Sequence, residues 1–106
     1  DDVRAFLDAG MAERILFGTD AGPFDVAFGR PALGVQLLAR AGMTPLQAIA
    51  AATSRPALAL GVEADAGTIA PGRRADLLIV EGDPSRDLAA LERVVAVYQA
   101  GVASHP

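Results

Sequence analysis

Residues 14–22 read RILFGTDAG. Ile15, Leu16 and Phe17 form a short apolar run with charge before it and glycine after it, the composition of a strand buried on both faces. Thr19 and Asp20 then bring polar atoms to its end, and Ala21-Gly22 stops it. A carboxylate there has two ordinary uses. It caps a turn, as loop aspartates commonly do, or it serves a site at the mouth of a sheet, where loops carry functional groups.

The flanking segments decide what kind of sheet this is. Val3, Phe6 and Leu7 fall at i, i+3 and i+4, one apolar face of a helix that Asp1 and Asp2 favour at its start and Gly10 can close. A helix feeding a buried strand is half of an α/β repeat. After Gly22 the segment PFDVAFGRP is irregular, with Pro23, Gly29 and Pro31 as punctuation. Leu33, Leu37, Leu38 and Ala41 predict a helix face that ends at Gly42. Thr44-Pro45-Leu46-Gln47 is the strongest local signal: threonine as cap, proline at the first helical position, glutamine reaching back as a capping box. Leu46, Ile49, Ala50 and Thr53 are its expected inward stripe, and a further turn around Arg55 to Leu60 closes at Gly61.

From there the texture becomes β-rich. Pro71-Gly72 marks a turn, and ADLLIVEGD (residues 75–83) is a continuous apolar run of the kind found in central strands. Asp83-Pro84 breaks it, DLAALE makes a short helical connector, and RVVAVYQAG is a second β run with Ala100-Gly101 as a hairpin turn. The expected division is an α/β portion over residues 1–61 and a mostly β portion over residues 62–106.

Bulk properties narrow the function. The 106 residues are 52% hydrophobic and 21% charged, a globular composition rather than a disordered one. A net charge of −4 argues against a phosphate-backbone binder, so no nucleic acid is expected. No run approaches the roughly 20 apolar residues of a membrane span, and the acidic start is unlike a secretory signal. A cytoplasmic setting is therefore expected. All nine basic residues are arginine, and there is no cysteine, which removes disulfides, thiolate metal sites and cysteine nucleophiles.

Four stretches together, ILFGTDAG, ARAGMTPLQAIAAATSRPALALGV, GTIAPGRRADLLIVEGDP and VVAVYQAGV, resemble the C-terminal end of a metal-dependent amidohydrolase of the imidazolonepropionase-like and Xaa-Pro dipeptidase (prolidase-like) group. The blocks occur in the family's order and cover nearly all of the chain. The resemblance implies an α/β fold: the C-terminal part of a TIM (β/α)8 barrel, with its last helix, strand 8 and closing helices, followed by part of a small composite β-sandwich. A whole barrel takes roughly 250 residues, so the missing N-terminal part of the same barrel becomes the expected partner.

The resemblance also implies roles. Asp20 would be a metal ligand and the general base that takes a proton from the attacking water and passes it to the departing nitrogen. Carboxylates suit both tasks. The cofactor would be a divalent metal, zinc in one or two ions, in the full-length protein. The family's other ligands, a His-x-His pair, a bridging lysine or glutamate and two further histidines, come from upstream segments. This chain has no lysine and a single histidine, His105, in a tail that matches no ligand motif. A catalytic dication takes three or more protein ligands, so the isolated chain is expected to be inactive.

Secondary candidates carry less. Thr19 would orient the Asp20 carboxylate, and Phe24, Asp25, Phe28 and Arg30 would rim the pocket, with Arg30 positioned to clamp a substrate carboxylate. Asp76 is read as structural, paired with Arg73 or Arg74 or capping the Pro71-Gly72 turn. Gly34 stands where relatives often carry glutamate, which bears on the dipeptide substrate. The expected reaction is hydrolysis of an amide or other C–N bond in a small molecule of dipeptide or N-acyl type. The alternatives are a deaminase or cyclic-amide hydrolase using the same aspartate, and a non-catalytic remnant acting as a packing or interaction module. A homo-oligomer is compatible with all of them.

Overall fold

The computed structural model describes residues 2–18 and 31–104. Helix α1 spans Asp2–Asp8. It ends as its sequence dictates: the Met11 N–H reaches back to the Phe6 carbonyl (2.9 Å) and the Gly10 N–H to that of Leu7 (3.0 Å), with Gly10 at φ +74°. That left-handed residue lets the last carbonyls find donors.

A 3-10 turn, Ala12–Arg14, follows, and the chain continues extended from Ile15. No strand forms over residues 15–18, in contrast to the buried strand expected there; Ile15 and Phe17 are half-buried and Leu16 is exposed. A strand of a parallel sheet exists only through its neighbours, and the described residues offer none beside this run.

Helix α2 spans Pro31–Arg40 and helix α3 Pro45–Ala52. The capping box is present in full: the Gln47 N–H donates to Thr44 Oγ1 (3.2 Å) and the Thr44 N–H to Gln47 Oε1 (3.0 Å). The expected inward stripes hold in part, with Leu38 of α2 and Ile49 of α3 packed against the core, and are otherwise corrected. On α2 the buried residue is Val35, with Leu38 and Ala39 packed beside it, while Leu33 and Leu37 face outward. On α3 the buried residues are Ala48 and Ala51, and Leu46 is 64% exposed. On α3 small residues face inward, while Leu33, Leu37 and Leu46 project outward. Helix α4, Ser54–Ala59, ends at Gly61 in the left-handed region (φ +73°).

The β portion is one antiparallel sheet in the order β1-β2-β3 among the described residues, with β1 at Leu77–Val80, β2 at Val94–Gln99 and β3 at Val102–Ser104. Leu77 lies opposite Tyr98 and Leu78 opposite Val97, and the register shifts between Ile79 and Val80. A 3-10 helix, Leu88–Glu92, joins β1 to β2, capped by Asp87, whose carboxylate accepts the Ala89 N–H (3.0 Å). Ala100 (φ +50°) and Gly101 (φ +81°) make the hairpin turn, two left-handed residues whose twist matches that of the paired strands.

One core serves both portions. Val35, Ala48 and Ala51 from the helices and Met43 from the α2–α3 connection cluster with Leu88 from the connector, and Gln36 Nε2 donates to Glu92 Oε2 (3.1 Å) across the same junction. No large side chain is fully buried among the described residues. Among those residues, no helix is long and apolar enough to cross a membrane.

Candidate functional site

The approach to Asp20 is anchored at Phe17. Its N–H donates to the Ala51 carbonyl at the end of α3 (2.9 Å). Its ring lies over Gly34 of α2, so close that a Cβ built on Gly34 would sit 2.5 Å from Cζ. Glycine inside a helix costs about 1 kcal/mol relative to alanine, and here its missing side chain is the seat of the ring. Two independent contacts thus hold the residue three positions before Asp20.

Phe17 and Pro31 both line a cavity of about 480 Å³ between the helices and the sheet, walled also by Val35, Ile49, Leu78 and Val94. Thr53 and Glu92 are its polar members. Such a wall accepts apolar groups. Its carboxylate is that of Glu92, which accepts from Gln36 Nε2.

Thr19, Asp20, Gly22, Phe24, Asp25, Phe28, Arg30 and His105 lie outside the described residues. Among the described residues no three His, Cys, Asp or Glu side chains gather to hold a metal ion. The described part of the chain therefore does not form a metal centre.

Asp76 takes the structural role expected of it. Arg74 Nε donates to its Oδ2 (2.8 Å), Arg74 Nη2 lies 2.6 Å from the same oxygen, and the Ala100 N–H donates to Oδ1 (2.9 Å). The Arg74 hydrogen bond first, and the Ala100 N–H second, hold this carboxyl below the usual carboxylate range; the same pairing raises Arg74. Oδ2 is thus engaged by Arg74 and Oδ1 by the turn between β2 and β3.

The Phe17–Gly34 contact and the cavity were not read from the sequence. An isolated glycine inside a helical pattern was the available signal for the first; the cavity, assembled from five elements, had none.

With that geometry in place, the sequence matches the amidohydrolase family over residues 1–103, and the chain belongs to that family. It is 39% identical over 102 residues to an imidazolonepropionase of Deinococcus deserti, covering 92% of this chain and 25% of that protein. It is 38% identical over 93 residues to an ochratoxinase of Aspergillus niger, covering 86% of this chain and 18% of that protein. A crystal structure of a Xaa-Pro dipeptidase with methionine bound in its active site superposes with a TM-score of 0.88 at 33% identity, covering all of this chain and 25% of that one. The chain spans about a quarter or less of these relatives. The resemblance drawn from the four sequence blocks is borne out at the level of family and fold.

Proposed function

We propose that this chain is the carboxy-terminal part of a hydrolase acting on C–N bonds of small molecules, and that Asp20 is its catalytic contribution. Residues 1–61 would complete a (β/α)8 barrel and residues 62–106 a composite β-sandwich. The observation that carries the reading is the family match over residues 1–103, which supports a hydrolase acting on C–N bonds. Neighbours that share the fold include an Xaa-Pro dipeptidase and phenylurea hydrolase B, the latter with a TM-score of 0.84 at 29% identity.

In this reading Asp20 accepts the proton of the attacking water and returns it to the departing nitrogen. A carboxylate does this when its site keeps it ionised until attack. A divalent ion, supplied with ligands from elsewhere in the parent protein, would add Lewis acidity. Phe17, held by Ala51 and Gly34, would fix the start of the segment that carries Asp20, and Arg30 would meet a substrate carboxylate. The chain alone would be inactive.

A second reading, hydrolysis of a cyclic amide, takes its support from the likeness to imidazolonepropionase. Both are tested on a longer polypeptide carrying the upstream sequence, assayed with N-acyl amino acids, dipeptides and cyclic amides. Asp20→Asn is expected to lower turnover by roughly 10²–10⁴-fold, the usual worth of a general acid–base group, without loss of fold. Undiminished turnover in that variant would refute the assignment of Asp20.

A further inference from the structure

The two contacts that hold Phe17 rest on the same set of buried side chains. Its N–H donates to the carbonyl of Ala51, a residue that is fully packed in the core. Its ring lies over Gly34, and the next residue of α2, Val35, is buried as well. Ala51 and Val35 share one cluster with Met43 and Ala48, and its remaining buried member, Leu88, comes from the β portion. Phe17 itself packs against that cluster.

Leu88 is delivered there by its own turn. The Asp87 carboxylate accepts the Ala89 N–H (3.0 Å) and caps the 3-10 helix Leu88–Glu92, so Leu88 projects from a fixed backbone. At the far end of that helix Glu92 accepts from Gln36 (3.1 Å), the residue after Val35. The connector thus meets α2 both in the core and at the surface beside it. Ala48 and Ala51 contribute one methyl each, which leaves much of the volume of the cluster to Leu88, Val35 and Met43.

We infer that Leu88 is a positioning residue for the proposed hydrolysis, an inference that rests on Asp20 being its general base. By filling the cluster that contains Val35 and Ala51, Leu88 keeps both anchors of Phe17 in place, and Phe17 sets the approach to Asp20. Asp20 follows Phe17 by three residues, at most about 11 Å of chain. Close-packed interiors transmit strain, and a misplacement of about 1 Å at a reacting group can cost roughly 10²-fold in rate. A residue of the β portion would thereby act on turnover without touching substrate.

The test uses the longer polypeptide that carries the upstream sequence. Leu88→Val should lower kcat about tenfold and leave KM within about twofold, the pattern of a contact felt in the transition state rather than in substrate binding. Leu88→Met, which nearly conserves volume, should recover most of the loss. Gly101→Val, which strains the hairpin turn of the same β portion, should leave kcat unchanged. Hydrogen exchange gives a second readout. The Phe17 amide should exchange about threefold or more faster in Leu88→Val, while the Met11 amide, bonded to the Phe6 carbonyl, does not change. Unchanged kcat in Leu88→Val, a loss carried by KM alone, an equal loss in Gly101→Val, or a Phe17 amide that does not respond overturns the inference and leaves the function. A longer protein that hydrolyses none of the substrates removes the function, and the Phe17 amide then decides by itself whether Leu88 holds the approach.

Discussion

The Asp76 carboxylate accepts the Ala100 N–H at 2.9 Å, tying the residue before β1 to the turn between β2 and β3. With Arg74, two residues before it, on its other oxygen, this one side chain joins two segments distant in sequence.

Its titration sets a pH dependence. The folded state holds Asp76 below its ordinary value, so ionisation favours folding. The contribution is fully present above the unfolded carboxylate pKa, near about 4, and is lost as pH falls through the lowered folded value. Asp76→Asn should flatten this part of the acid-unfolding curve while changing neutral-pH secondary structure little. An unchanged acid midpoint would show that the tie contributes nothing.

Gly34 and Phe17 should behave as a coupled pair. Gly34→Ala gains about 1 kcal/mol of helix propensity but drives a methyl into the Phe17 ring, an overpacking worth about 1–3 kcal/mol. A net loss of about 1 kcal/mol is expected in urea unfolding. In a Phe17→Leu background the same substitution should become neutral or stabilising. Equal effects in both backgrounds would mean that the ring moves aside freely.

Thr44→Ala removes the hydroxyl that accepts the Gln47 N–H and should cost about 1 kcal/mol. Thr44→Ser, which keeps the oxygen, should recover most of it. Denaturation midpoints of the two variants check this directly.

Ala100 holds φ +50° at the first turn position, a conformation costing non-glycine residues roughly 1–2 kcal/mol. Ala100→Gly should therefore stabilise the hairpin by about 0.5 kcal/mol after the entropy lost to glycine. Gly101→Val, at φ +81°, should destabilise it by more than that. The pair of thermal midpoints, shifting in opposite directions, is the measurement.

Much of the local structure was legible because it depends on near neighbours. The Thr44–Gln47 box, the Gly10 and Gly61 helix ends, the Ala100-Gly101 turn and the Asp76–Arg74 pair all act within a few residues or use residues with special backbone freedom. The family was legible too, since four blocks in a fixed order carry more information than any single motif.

What the sequence determined by itself is therefore the family, the order of elements from α2 onward, and Asp20 as the carboxylate to examine. Tertiary structure alone decided which faces turn inward, because α2 and α3 pack through Val35, Ala48 and Ala51 and leave Leu33, Leu37 and Leu46 outside. It decided that Gly34 seats Phe17, a contact between residues 17 positions apart that no periodicity encodes. It also decided that Ile15 to Phe17 form no ladder and that LLIV lies at an edge. Both runs are written for neighbours, and a strand's state is set by the chain beside it rather than by its own side chains.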